Sequence, residues 1–314
     1  MDGPRIATLT MNPALDVSTT VGQVMPERKL RCGMPRHEPG GGGVNVSRAI
    51  RKLGGDSLAI YTSGGPTGQL LQGLLDEEKV SQLPIAIRGW TRQNLNVLEK
   101  RTGQQFRFVM PGPSLDEKEW RLCLASVRAL HPPAAFVVAS GSLPPGVPVD
   151  FYARLAALAK EIGARFVLDC SGEPLRLAAG QGVFLLKTSL REFEELTGDG
   201  PCDPARLAAR AMGLVEKRRC DVLVLSLGAK GALWVSADGQ EELPSPSVSV
   251  QSSVGAGDAM VAGIVLSLAR GWLLPEAVRF GVAAAAAAVM NPGTQLCHRE
   301  DAERLYAETQ PAHA

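Results

Sequence analysis

Short, continuously apolar runs that alternate with amphipathic helical stretches constrain this chain more than any other feature. Residues 6–10, 57–61, 134–139, 165–168, 183–187 and 222–226 have strand length and little polar alternation. Helical patterns occupy 115–129, 150–162 and 204–216. A strand that is apolar on both sides needs cover on both faces. The pattern therefore predicts an α/β fold with a parallel sheet between two layers of helices. Ligands of such folds gather beyond the carboxyl ends of the strands. Asp16, Asn45, Ser142, Lys187 and Asp258 each follow a predicted strand end or open a helix, which would collect them at one sheet edge. A chain of 314 residues can bury a large core, so 1–314 is read as one domain. Two segments, 17–37 and 87–109, break the rhythm with β-type alternation and basic side chains, and are expected to form a small separate sheet. Residues 308–314 lack apolar periodicity and are expected to fray.

Composition removes several classes of function. A formal net charge of +1 leaves no basic excess for nucleic acid. The stretch 281–290 is apolar but too short and alanine-rich to span a bilayer, and reads as a tightly packed internal helix. Cys32, Cys123, Cys170, Cys202, Cys220 and Cys297 are scattered without metal-ligand spacing, so reduced thiols are expected rather than a zinc site or disulfides. With no signal peptide before the first strand, a cytoplasmic protein is expected. No Gly-x-Gly-x-x-Gly turn follows the first strand and no Walker-type string occurs, which argues against a dinucleotide dehydrogenase and a P-loop NTPase.

Two glycine-rich stretches carry the chemistry. In Ser252-Ser253-Val254-Gly255-Ala256-Gly257-Asp258-Ala259-Met260, small residues precede one carboxylate and an apolar helical run. This predicts a tight turn into a helix N-terminus, where free N–H groups and the helix dipole bind anions such as phosphate. Gly255, Ala256 and Gly257 would form the anion hole, and Asp258 could take a proton from a substrate hydroxyl. The second stretch, Gly40-Gly41-Gly42-Gly43 before Asn45, puts no side chain between backbone and ligand. Asn45 can both donate to and accept from hydroxyls. Asp16 closes Asn12-Pro13-Ala14-Leu15-Asp16, where a carboxylate after proline would otherwise read as a turn former.

Together with Glu38-Pro39-Gly40-Gly41-Gly42-Gly43-Val44-Asn45-Val46-Ser47-Arg48-Ala49, these motifs make the chain resemble the ribokinase-like (PfkB) family of sugar kinases from about residue 6 to 298. Within that family, Lys29-Leu30-Arg31-Cys32, Trp90-Thr91-Arg92-Gln93-Asn94, Phe106-Arg107-Phe108-Val109-Met110-Pro111-Gly112 and Ser140-Gly141-Ser142-Leu143-Pro144-Pro145-Gly146 are most similar to the minor bacterial type of 6-phosphofructokinase.

The resemblance implies a three-layer α/β/α, Rossmann-like domain whose small sheet is a lid over the sugar and a homodimer contact. It implies Asp258 as general base, and Asp16, Gly41, Gly42, Asn45 and Ser142 against the sugar. Lys29, Arg31 and Arg92 lie in the lid, and the residues matching Lys29 and Arg92 hold the substrate's distal phosphate. Lys187, Ser226, Gly228 and Gly231 would line the ATP site. Mg²⁺ would accompany ATP, with Glu192 acting through water and Asp169 as a further acid. A monovalent-cation loop, for K⁺, would involve Ser252, Val254, Asn291 and Gly293. One departure stands out: Lys187-Thr188-Ser189-Leu190-Arg191-Glu192 has Ser189 where the family has Asn and Thr188 where it has Pro. The implied reaction is transfer from ATP to the 1-hydroxyl of D-fructose 6-phosphate. The alternatives are a tagatose-6-phosphate kinase, a 1-phosphofructokinase, or a phosphosugar- or nucleotide-binding protein with little catalysis.

Overall fold

The computed structural model describes residues 6–198, 200, 201 and 203–309. Cys202 and residues 310–314 of the tail lie outside the described residues. In chain order the elements are β1 (Ile6–Thr10), β2 (Ala14–Val21), β3 (Arg36–Gly40), α1 (Gly42–Lys52), β4 (Leu58–Ser63), α2 (Gly65–Glu77), β5 (Ser81–Ala86), β6 (Arg92–Glu99), β7 (Gln105–Phe108), α3 (Glu117–Arg128), β8 (Phe136–Ser140) and α4 (Phe151–Glu161). Then follow β9 (Arg165–Asp169), α5 (Gly172–Ala178), β10 (Val183–Ser189), α6 (Leu190–Thr197), α7 (Leu207–Glu216), β11 (Val222–Ser226), β12 (Ala232–Ser236), β13 (Gly239–Leu243), α8 (Ala256–Ala269), α9 (Leu274–Val289) and α10 (Arg299–Glu308).

The main sheet has the order β13-β12-β11-β10-β9-β8-β1-β4-β5. Strands β5 through β11 of this row pair in parallel, and β12 and β13 close one edge antiparallel. All six runs read as apolar strands lie in it. The strand β5 escapes that pattern for a physical reason: it is an edge strand, largely solvated, and carries Pro84, which only an edge tolerates. One core joins Val138, Val167 and Val224 of the sheet to α1, α8, α9 and α10. The other joins Val137, Leu168 and Leu223 to α3, α4 and α7. Alternate residues of each strand thus feed opposite cores, as continuous apolarity requires.

Helices α8 and α9 touch through their smallest residues. A Cβ added at Gly263 would lie 3.0 Å from the Cα of Gly281, and one at Gly281 would lie 2.8 Å from the carbonyl of Met260. The alanine-rich stretch is therefore a packed internal helix. Among the described residues, no helix is long and apolar enough to cross a membrane.

A second sheet has the order β3-β2-β6-β7. Its bounds differ from the segments expected for it. The strands begin at Ala14 and end at Gly40, and residues 22–35 between β2 and β3 are irregular. Helix α10 runs through Glu308, so that residue belongs to the helix and not to a frayed end.

Candidate active site

Strand β1 lies between β8 and β4, while the chain runs from β1 to β4 and β5 before returning to β8. The resulting crevice opens at the carboxyl ends of β1 and β8, where α/β folds hold ligands. Asp258 sits there in the first turn of α8. Gly255 caps that helix with φ +77°, a left-handed conformation that glycine adopts without cost. Asn45 Nδ2 of α1 donates to Asp258 Oδ2 at 3.0 Å, and Ser140 Oγ at the end of β8 donates to Oδ1 at 3.3 Å. Gly42 leaves room for this arrangement, since a Cβ there would come within 2.1 Å of Ser140 Oγ. Burial pushes the Asp258 carboxyl up to about 7, and the charge of Asp169 adds to the rise; Asn45, Lys187 and Ser140 oppose it.

The nucleotide-facing candidates converge on the same turn. Lys187 is buried on β10, and its Nζ lies 3.2 Å from both Asp169 oxygens. A Cβ at Gly257 would be 2.7 Å from that Nζ, which places the ammonium against the first turn of α8. Burial alone would lower the Lys187 pKa, but Asp169, Asp258 and Glu192 outweigh it and the net shift is upward, so the group stays charged. Lys187, Ser226, Gly228, Gly231, Ala256 and Gly257 line one cleft of about 600 Å³. Its apolar wall comes from Met260 of α8 and from Val282, Ala286 and Val289 of α9, together with Val248 and Val250. Sequence reading missed that wall, because an alanine-rich helix gives no sign of which turn borders a cleft.

The metal candidates fare differently. Both Asp169 oxygens accept from Lys187 Nζ, so this acid is the lysine's counter-ion. Ser189 caps α6, and its N–H and Oγ both donate to Glu192 Oε2, at 2.7 and 2.8 Å. Serine thus fills the capping role at this position. Among the described residues, Glu192 Oε1 has no hydrogen-bond partner, and no group of three His, Cys, Asp or Glu side chains could hold a metal alone. A carboxylate oxygen without a partner, close enough to couple with the Lys187 and Asp169 charges, suits a magnesium ion that keeps most of its waters.

At the sugar end, Asp16 is buried on β2 and accepts from Asn94 Nδ2 at 2.8 Å. A Cβ at Gly40 would lie 2.4 Å from Asp16 Oδ2, so glycine makes space for the carboxylate. Burial raises the Asp16 pKa, opposed by Asn94, Arg92, Arg48 and Arg107. Gly41 follows β3 and caps α1. Arg92 of β6 is half-buried and donates to the carbonyls of Asn12 and Met110, both at 3.0 Å, and of Pro13 at 3.4 Å. Ser142 is exposed and accepts from Asn12 Nδ2 at 3.0 Å. The serine on Asp258 is therefore Ser140, two residues earlier in the same motif, at the last position of β8.

Lys29 and Arg31 are not brought to this end. Both lie in the irregular stretch 22–35, exposed, without a hydrogen bond or ion pair among the described residues. The stretch is tied back at Val24, whose N–H donates to Glu99 Oε1 at 2.8 Å, and at Gly33, whose N–H donates to Thr20 O at 2.8 Å, while the basic side chains between them face water. Ser252 and Val254 do lie beside Gly293 around one groove. The Ser252 N–H donates to Val289 O at 3.2 Å, and the Asn291 amide donates to Ala287 and Leu296 carbonyls.

Comparisons with known proteins agree with this geometry. The family model of pfkB carbohydrate kinases matches residues 10–301. The chain is 48% identical over 304 residues to the ATP-dependent 6-phosphofructokinase isozyme 2 of Mycobacterium tuberculosis, covering 96% of this chain and 89% of that one. Crystal structures of phosphofructokinase-2 from Escherichia coli are similar throughout. The complex with potassium gives a TM-score of 0.94 at 42% identity and covers 98% of this chain and 99% of that one. The complex with fructose-6-phosphate gives 0.92 at 41% identity with the same coverage.

Proposed function

The chain belongs to the pfkB family of carbohydrate kinases, and we propose that it transfers the γ-phosphoryl group of ATP to the 1-hydroxyl of D-fructose 6-phosphate, giving fructose 1,6-bisphosphate and ADP. The observation that carries this reading is the position of Asp258. A buried carboxylate, raised to about 7, stands in the first turn of a glycine-capped helix with the Lys187 ammonium beside that turn. As the sugar oxygen bonds to the γ-phosphorus, its proton passes to Asp258, the bond to the β-phosphate oxygen breaks, and ADP departs. The proton then returns to solvent. The N–H groups of residues 255–257 and Lys187 neutralise charge on the moving phosphoryl group.

ATP would fill the cleft of about 600 Å³, with its base against Val282, Ala286 and Val289. Mg²⁺ would be held through water by Glu192 Oε1 and would offset phosphate charge when bound. K⁺ would sit at the loop of Ser252, Val254, Asn291 and Gly293, as the potassium complex of the Escherichia coli relative encourages. Asp16 and Asn45 would hold sugar hydroxyls. Arg92 uses three of its five N–H directions on carbonyls, leaving donors for the 6-phosphate.

The small sheet would act as the lid, and a second copy would cover it. Its connections and edge expose Met34 (90%), Val109 (65%), Phe108 and Met110, an apolar group that water does not favour. Lys29 and Arg31 would reach a phosphate only when their stretch closes or a second copy docks. A cytoplasmic location fits the thiols and substrates.

The test is a panel of fructose 6-phosphate, tagatose 6-phosphate, fructose 1-phosphate and free sugars with MgATP, comparing kcat/KM by coupled ADP release. The expected order puts fructose 6-phosphate first. A preference for another member reassigns the substrate, and turnover of none turns the reading to a binding protein.

A further inference from the structure

Arg48 has the largest fully buried side chain in this protein, and no role described above uses it. Its Nη1 donates to Pro39 O at 2.8 Å, Thr294 O at 3.1 Å and Asn45 Oδ1 at 3.2 Å. Its Nε and Nη2 form a fork on Glu78, at 2.8 and 2.6 Å. We infer that Arg48, held by Glu78, is a positioning residue for phosphoryl transfer: it fixes the Asn45 amide so that its NH₂ faces the carboxylate of Asp258, and it pins the end of β3 and the turn at Thr294 around the sugar end. The functional part of this inference rests on the kinase reading.

An asparagine amide has two orientations of nearly equal shape but opposite polarity. Guanidinium offers only donors and does not lose its proton, so Asn45 must turn its oxygen toward Arg48. The NH₂ is then turned to the opposite side, where one of its two hydrogens meets Asp258 Oδ2 at 3.0 Å and the other stays open to a sugar hydroxyl. Reversed, the amide would set an oxygen against a carboxylate, and the donor to the base would be lost. The three carbonyl and amide acceptors come from β3, α1 and the segment after α9, so one cation joins three elements that meet under the glycine cluster. A buried cation needs this full set of partners, since an unpaired one costs several kcal/mol. The same charge also steadies Asp16, whose pKa it lowers against the effect of burial. From the other side, Asp169 and Lys187 face Asp258, and a change at Arg48 leaves both in place.

Lysine at this position would keep a positive charge but could not grip Glu78 as a fork while reaching three further acceptors. The experiment compares wild type, Arg48→Lys, Asn45→Ala and the double variant. It measures the pH dependence of kcat/KM, and separately the ¹³C carboxyl titration of Asp258 without substrate. Asn45's hydrogen bond lowers the Asp258 pKa, so losing its direction moves the acid limb and the titration upward by about half a pH unit or more. Arg48→Lys and Asn45→Ala should shift alike, the double variant no further, and kcat should fall about tenfold while KM for ATP stays within about twofold. A folded Arg48→Lys protein with lowered Tm but an unmoved limb and titration overturns the inference. Should that variant not fold, Glu78→Gln at the rim replaces it, with a smaller shift of the same sign expected. Glu78→Gln that folds and leaves the Asp258 titration in place also overturns it. Failure of wild type to phosphorylate any sugar phosphate sinks the kinase reading alone, because the titration still decides the role of Arg48.

Discussion

Arg48 and Lys29 carry the same charge only 19 residues apart, yet the protein treats them oppositely. Arg48 is 1% exposed and bonded to Glu78, Pro39, Asn45 and Thr294. Lys29 is exposed and unpaired among the described residues. The same contrast separates the floor of the crevice from the small sheet beside it. On the floor, Asn45 and Ser140 donate to Asp258, Lys187 pairs with Asp169, and the two buried groups are coupled through their charges. Beside it, the stretch 22–35 and the connections around Phe108 and Met34 leave cations and apolar side chains in water. A floor of this kind needs no reorganisation at the moment of reaction, which favours transition-state stabilisation. An open sheet with unsatisfied surface suits closure on a ligand or a second copy.

The comparison breaks most visibly at Asp258. Asp258→Asn should keep the fold and lower kcat by roughly 10²- to 10⁴-fold, measured by coupled ADP release; near-normal turnover would remove Asp258 from the chemistry. In wild type, kcat/KM should fall about tenfold per pH unit below about 7 as Asp258 gains its proton.

The next effect sets floor-anchored and exposed cations against each other. Arg92→Ala should raise KM for the phosphosugar about 10- to 100-fold through lost charge-assisted bonds. Lys29→Ala should do so only where the oligomer is intact. If a second copy covers the small sheet as proposed, Phe108→Asp should weaken that association and reduce the Lys29 effect with it, read by sedimentation and KM together. If both cations matter equally in a monomer, the contrast between floor and flap is wrong.

The smallest effect is on stability, and its sign is telling. The folded protein holds a proton on Asp258 to higher pH than the unfolded chain does, because the carboxyl pKa is raised from 3.8 to about 7. Stability from this group is therefore lost as pH rises from about 4 to 7. Asp258→Asn should raise the unfolding free energy at pH 8 by on the order of 1 kcal/mol or more, with Tm rising accordingly, and the gain should vanish near pH 4. A variant less stable than wild type at pH 8 would show that the hydrogen bonds from Asn45 and Ser140 outweigh desolvation.

Much of the site was legible because it is local. A glycine turn before an apolar helix is visible within a few residues of sequence, and Asp258 lies three residues beyond the Gly255 cap. The pairing of Asn94 with Asp16 and of Ser140 with Asp258 left no such trace. Ser140 carries no mark of a role in the sequence, since only strand pairing shows that it ends β8 beside the base. The bounds of the small sheet differ from those expected because irregular and extended chain share the same basic composition in residues 22–35.

Periodicity and glycine placement, which act within a few residues, determined by themselves that this chain makes a covered parallel sheet with glycine-rich turns at one edge. Tertiary structure alone decided that Asn45 and Asp258 meet across 213 residues of sequence, that Lys187 spends Asp169 as its counter-ion, and that Arg48 lies beneath them. Hydrogen bonds between distant side chains depend on how the sheet brings helix ends together, and neither spacing nor composition encodes that meeting.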